Sequence, residues 1–217
     1  EINRVAGQRN KSALHYHFGI RDGLLKAILT KHRRFLDPRR ADLIVEYRTK
    51  GELSLHDAVA VMVRPLAELL DRDDEGGVHY IRIMAQLSAT PNHPINDWLF
   101  NDLPPAFAEI APVLYRNIPR VPTIVRMRRT QLMNGIMLHA LLLLTYPEDE
   151  RWTPATRELF VVDLIDCICG LLGAPESADS ATVFDRAELT GLAPRATDDV
   201  IPYFGAAEGR DRGTPDD

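Results

Sequence analysis

Apolar and polar residues follow a helical pattern along almost the whole chain. Apolar side chains recur at intervals of three and four positions in successive segments, and glycine and proline residues separate these segments. A clear example is the amphipathic segment "RDGLLKAILTKHRRFL", which begins at Arg21. Pro38 is expected to end or bend this helix, and the segment "RRADLIVEYRTKG" could continue it to Gly51. No segment shows the alternation that is typical of a β-strand. The pattern therefore predicts an all-α fold.

Capping residues mark the starts of two later helices. Asp57 follows Ser54 by three positions, which is close to a capping box, and Thr153 precedes a proline suited to the first helical position. Two long segments, 123–146 and 153–173, have the highest apolar content and are apolar on more than one face. Such helices are either central in a core or shared with a second chain.

The charge of the chain is divided unevenly. Residues 1–50 contain 12 Lys and Arg against 5 Asp and Glu, a net charge of +7, although the whole chain carries −5. A basic beginning on an acidic body indicates a polyanionic partner at that end.

The stretch "RNKSALHYHFG", residues 9–19, places many hydrogen-bond donors around only two strongly apolar residues, Leu14 and Phe18. With its flanks, it gives a helix, a tight turn through "AGQRN", a short donor-covered helix and then an amphipathic helix. This order describes a helix-turn-helix motif, whose second helix enters the major groove of DNA. We therefore expect a DNA-binding head at the beginning of the chain.

The donors of this head suit different parts of a DNA duplex. Arginine and lysine fit guanine O6 and N7, asparagine fits adenine, and serine can bind either a base or a phosphate. Histidine and tyrosine can donate to phosphate oxygens, and Arg21 is expected to contact a phosphate as well. The candidate DNA-binding residues are Arg9, Asn10, Lys11, Ser12, His15, Tyr16, His17 and Arg21.

The segment "VAGQRNKSALHYHFGIRDGLLKAIL" resembles the DNA-binding segment of the tetracycline-repressor (TetR) family. Ala6 and Gly7 match the turn of that segment. The family's first helix is expected upstream of Glu1. The residues that fall on the recognition-helix signature are Ala13, Leu14, Tyr16, His17 and Phe18.

The resemblance implies a homodimeric, all-helical transcriptional repressor that binds operator DNA and is released by a small-molecule effector. Helices 123–146 and 153–173 are expected to pack against their counterparts in a second subunit as a four-helix bundle. The helix that starts at Arg21 would link the head to the body. The organisation implied is a partial helix-turn-helix domain with the start of the connecting helix (1–37), a ligand-binding and dimerisation domain (38–175) and a weakly ordered tail (176–217).

A ligand cavity in the helical body would be lined by polar or aromatic groups set among apolar residues, and by methionines, which adapt to irregular spaces. Each such residue taken alone is more often ordinary packing, so the prediction concerns the cluster. The candidate pocket residues are Tyr80, Met84, Trp98, Phe100, Asn134 and Met137.

Other functional classes find little support in the sequence. No apolar run reaches the ~18 residues of a membrane span, and we expect a cytoplasmic protein. Phosphate-binding glycine loops, zinc spacings and nucleophile motifs do not occur, so we expect neither a cofactor, nor a metal, nor an enzyme. Cys167 and Cys169 are two apart on a predicted helix and point in different directions, so they are expected to be ordinary apolar residues.

Two other interpretations stay open at this point. The chain could be a helical small-molecule-binding or catalytic protein without DNA binding, or a structural dimerisation module without an internal cavity. If 153–173 lies in a shared bundle, the substitution Leu164→Glu is expected to separate the subunits, because it buries a charge there.

Overall fold

The computed structural model describes residues 21–72, 76–90, 103–119, 121, 123–145 and 152–184. These residues form seven helices and no strand, which confirms the all-α prediction. None of the helices is long and apolar enough, within this part of the chain, to cross a membrane. The helices are α1 (Arg21–Arg48), α2 (Leu55–Leu70), α3 (Gly77–Ser88), α4 (Pro105–Asn117), α5 (Thr123–Leu143), α6 (Pro154–Gly173) and α7 (Ala178–Phe184).

Helix α1 continues through Pro38 to Arg48. Of the two outcomes expected at this proline, an end or a bend, the end therefore does not occur. Leu29, Leu36 and Leu43 lie seven positions apart and are 1%, 0% and 2% exposed, so the same face is buried before and after the proline. Pro38 itself lies on the exposed side, where water can satisfy the carbonyl that loses its partner. The predicted domain boundary between residues 37 and 38 therefore falls inside one helix.

Helix α2 is the centre of the fold. It is apolar on nearly all sides and packs against α1, α3, α4, α5 and α6. Its start is fixed as the sequence predicts: the Ser54 hydroxyl accepts from the Asp57 backbone N–H at 3.1 Å, and an Asp57 carboxylate oxygen accepts from the Ser54 N–H at 2.9 Å. This reciprocal capping box satisfies two donors that the first turn leaves without helical partners.

Helices α5 and α6 pack against each other and against the central helix. Thr153 caps α6, with Thr156 completing the capping box and a proline at the first helical position, as predicted. The other end of α6 is held from α5, because Arg129 donates to the carbonyl oxygens of Leu172 at 3.1 Å and Ala174 at 2.5 Å. Helix α7 lies within the segment that composition predicts to be weakly ordered.

The junction between α2 and α3 depends on two glycines. Gly76 adopts φ +87°, a left-handed conformation that favours glycine. Gly77 is buried, and a Cβ atom there would overlap with the backbone carbonyl of Leu69 at the end of α2. The close approach of the two helices therefore requires a residue without a side chain.

We expect Gly77→Ala to lower the free energy of unfolding by about 1–3 kcal/mol, because the backbone carbonyl of Leu69 must move. Gly135→Ala is the matched control, since a Cβ there meets nothing within 4 Å. That control should leave stability unchanged or raise it by up to about 1 kcal/mol, because alanine favours a helix interior. Urea unfolding of both variants measures the difference, and equal effects would refute the close contact.

Candidate functional site

A cluster of polar and aromatic side chains lies where α1 meets α3 and α4, with three members buried and two, Asp37 and Phe107, half-buried. It consists of His32, Asp37 and Arg40 from α1, Tyr80 from α3 and Phe107 from α4, and we call it the buried polar cluster. The rings of His32 and Tyr80 pack with their centroids 4.9 Å apart. The Arg40 guanidinium lies over the ring of Phe107, 5.0 Å from its centroid. Three helices thus bring these groups together.

Arg40 is a buried cation with little compensation. It is 6% exposed, and its Nη1 donates one hydrogen bond of 3.1 Å to Asp37, one turn earlier in α1. Its Nε is buried and has no hydrogen-bond partner. Burial lowers the pKa of Arg40, and nearby Tyr80 and Asp37 oppose this change. Arginine nevertheless remains protonated in proteins, and a buried donor without an acceptor costs about 1–3 kcal/mol.

The preceding residue, Arg39, shows how a guanidinium is satisfied in this fold. Its Nε and Nη2 donate to the two carboxylate oxygens of Glu68 at 2.7 and 2.9 Å. Its side chain is 33% exposed, so it loses less hydration than Arg40. Arg39 therefore holds α1 to α2, whereas Arg40 retains an unused donor inside the protein.

Tyr80 contributes a neutral phenol to the cluster. Burial raises the pKa of Tyr80, while the positive charges of Arg40 and Arg33 act in the opposite direction and Asp37 adds to the increase. The group stays protonated at neutral pH because the net shift is upward. Two cations and one anion thus act on this buried hydroxyl.

Of the pocket residues expected from the sequence, only Tyr80 belongs to the buried polar cluster. Met137 is 5% exposed in the core, Met84 packs against the core, and Asn134 is half-buried. Trp98 and Phe100 lie outside the described residues. Tyr80 and Met84 lie on α3, and Asn134 and Met137 lie on α5, two helices that pack against each other.

His32 and Arg40 are not among the pocket residues expected from the sequence, although their spacing carries a usable signal. His32 follows Leu29 by three positions, and Arg40 follows Leu36 by four and precedes Leu43 by three. Both polar residues therefore lie on the buried stripe of α1. Within "KHRRFLDPRR" they look like ordinary members of a charged, solvated face.

A second candidate site is a cleft of about 540 Å³ at the ends of α2 and α5 and the beginning of α6. Trp152 lines it, with a buried ring nitrogen that has no acceptor. The rings of Trp152 and Phe160 pack edge to face, with their centroids 5.3 Å apart. The arginines of the cleft are already paired. Arg64 binds Glu158 at 2.9 Å and Arg157 binds Asp71 at 2.6 Å.

Helices α5 and α6 expose apolar side chains that the subunit does not cover. Leu132, Ile136 and Leu143 are 54%, 43% and 50% exposed and form one stripe of α5, and Leu159 on α6 is 68% exposed. Leu164 is only 6% exposed and packs in the subunit's own core. The expected effect of Leu164→Glu is therefore wrong, because the charge would disrupt the subunit itself.

Most of the candidate DNA-binding residues, Arg9 to His17, lie outside the described residues. Arg21 is the first residue of α1, and its side chain is also outside the description. Within the described part of the chain, no group of three or more His, Cys, Asp or Glu residues could hold a metal ion. Cys167 is exposed and Cys169 is half-buried, both as free thiols.

Comparison with known protein families gives a match over residues 60–155, to the Tetracyclin repressor-like, C-terminal domain. Comparisons with curated proteins and with solved structures gave no match. The body of the chain, from within α2 to the beginning of α6, is therefore similar to the C-terminal domain of tetracycline-repressor-like proteins. This finding supports membership of the TetR family. It is independent of the resemblance over residues 5–29, because the two segments do not overlap.

The two cysteines are expected to differ in reactivity. Burial and the neighbouring Asp166 raise the pKa of Cys169 to about 11, and the thiolate is the reactive form. At pH 8 the variant Cys167→Ser should therefore react with iodoacetamide much more slowly than Cys169→Ser, followed by mass spectrometry. The rate at Cys169 should rise about tenfold per pH unit below its pKa.

Asp166→Asn provides the control for this pKa. Removing the carboxylate removes one of the two causes of the shift, so Cys169 should react faster at the same pH. Equal rates at Cys167 and Cys169 at pH 8 would contradict the raised pKa.

Proposed function

We propose that the chain is a ligand-responsive transcriptional regulator that binds operator DNA as a homodimer and acts as a repressor. The observation that carries the proposal is the TetR-like C-terminal domain over residues 60–155. The TetR-like helix-turn-helix segment over residues 5–29 supports it from a separate part of the sequence. The small-molecule effector would bind in the helical body and release the protein from DNA.

Helix α1 is suited to connect effector and DNA. Its first residue, Arg21, directly follows the recognition segment, and its buried stripe packs on α2, α3 and α4. A ligand beside this stripe would bind one position of α1 better than another. The ligand changes the affinity for DNA by the ratio of its own affinities for the two positions of α1. DNA changes the affinity for the ligand by the same factor.

The exposed stripe of α5 supports a second copy of the chain as the partner. Leu132, Ile136 and Leu143 share one face of α5, and Leu159 is an exposed apolar residue of α6. Dimerisation through α5 and α6 would set the separation of the two recognition helices. That separation must be ~34–36 Å for the helices to enter successive major grooves.

The DNA-binding proposal is tested with the full-length protein and DNA from its own promoter region. Lys11→Ala and Arg9→Ala should each weaken specific binding by about 1–3 kcal/mol, because each removes a contact to a guanine edge. Arg21→Ala should weaken binding to all sequences alike and reduce the salt dependence, because it removes a phosphate contact. Gel-shift titrations at several salt concentrations measure both effects.

Lys50→Ala is the matched control for these substitutions. Lys50 is 68% exposed in the turn after α1, where it pairs with Glu46 and lies over the ring of Tyr47. It is at the opposite end of α1 from the recognition segment, so its loss should leave DNA binding unchanged. If the wild-type protein binds promoter DNA no better than random duplex, the proposed function is wrong. A sequence-selective loss at Arg21 would assign that residue to base recognition instead.

The double substitution Leu132→Glu, Ile136→Glu should convert dimers into folded monomers, because it places two carboxylates in the apolar interface. Val45→Glu is the control, since Val45 is 66% exposed but lies on α1, away from this surface. Sedimentation velocity measures the oligomeric state, and circular dichroism checks that the variants are folded. A double variant that remains dimeric would place the interface elsewhere.

A further inference from the structure

We propose that Arg40 binds the carboxylate group of the effector, and that the effector is an organic acid with an apolar or aromatic body. This inference rests on the proposed function, because it names the class of ligand that the helical body would recognise. The site is the buried polar cluster between α1, α3 and α4.

Arg40 has hydrogen-bonding capacity that the fold does not use. Its guanidinium is enclosed by the fold, its Nη1 donates to one oxygen of Asp37 at 3.1 Å, and its Nε has no acceptor. An acceptor placed at Nε would remove this deficit. Carboxylates are the preferred partners of guanidinium groups, because the charge-assisted bonds are short and strong and can form in pairs.

The charge of the cluster decides which sign of ligand charge it favours. The guanidinium of Arg40 is buried, its hydrogen bond to a carboxylate is that from Nη1 to Asp37, and its Nε still faces no acceptor. A negatively charged ligand is attracted by this group, and a positively charged ligand is repelled by it. The cluster therefore favours an anion over a neutral or cationic molecule of the same shape.

The guanidinium of Arg40 has aromatic and apolar surroundings. The ring of Phe107 lies beneath it, and the rings of Tyr80 and His32 pack against each other beside the same helix. Leu36 and Leu43 flank Arg40 on the buried stripe of α1 and are almost fully buried. A ligand whose charged group reaches Arg40 thus has apolar and aromatic groups to contact.

In the cleft lined by Trp152, the arginines are already paired with carboxylates. Its two arginines, Arg64 and Arg157, each have a carboxylate partner within 3 Å. Arg39, the neighbour of Arg40, is likewise paired with Glu68 through two hydrogen bonds. Among these guanidinium groups, Arg40 is the one with a buried nitrogen that lacks an acceptor.

The experiment compares acids with their own primary amides on the full-length wild-type protein. The probes are benzoate, phenylacetate and octanoate, each beside benzamide, phenylacetamide and octanamide, measured by isothermal titration calorimetry. At least one acid should bind, and its amide should bind about ten- to a hundredfold more weakly, as expected for loss of a charge-assisted hydrogen bond. If no acid binds, or if acid and amide bind equally, the proposal is overturned.

Variants then locate the site. Arg40→Met keeps the length of the side chain without its charge and should abolish the preference for the acid. Its melting temperature without ligand should be unchanged or higher, because an undercompensated buried charge has been replaced by an apolar group. Arg39→Met is the control and should retain the preference for the acid. A preference that survives in Arg40→Met would overturn the assignment to Arg40.

A promoter-binding assay separates this inference from the proposed function. The acid that binds should weaken promoter binding by the wild-type protein but not by Arg40→Met. Binding of an acid without any DNA preference would refute the regulator and leave the carboxylate site intact. A clear DNA preference without binding of any acid would refute the carboxylate site alone.

Discussion

The structure depends on the burial of one stripe of α1 against the central helix α2 and its neighbours. Leu29, Leu36 and Leu43 are at most 2% exposed and lie on both sides of Pro38. Burial of each leucine contributes about 1.5–3 kcal/mol, so together they outweigh the cost of about 3 kcal/mol for a proline in a helix interior. The helix therefore stays continuous, and a continuous helix can transmit a displacement along its length.

The same stripe also carries the groups with the most unusual environment. His32 and Arg40 occupy positions at which the helical period calls for apolar side chains, and both are buried. A residue that conflicts with its local environment often marks a functional site, because the cost must be offset by something else. In this chain, the buried polar cluster combines that conflict with a helix that leads towards the proposed DNA-binding head.

The body has two different surfaces besides this cluster. The cleft beside Trp152 is crossed by ion pairs that join α2 to α6, so its charges stabilise the contact between these helices. The exposed stripe of α5 has no such polar pairing along its leucines and isoleucine and is suited to an apolar partner. The charged surface thus stabilises contacts within the subunit, whereas the apolar surface stays exposed on it.

The amino-acid sequence by itself determined the helical class, the caps at Ser54 and Thr153 and the TetR resemblance, because each depends on residues close together in the chain. Only the tertiary structure decided that α1 passes through Pro38, that Leu164 faces inward and that Arg40 is buried beside Tyr80. Those outcomes depend on contacts between helices distant in sequence. Periodicity shows that a helix has a buried face, but the packing of neighbouring helices decides which polar residues that face encloses.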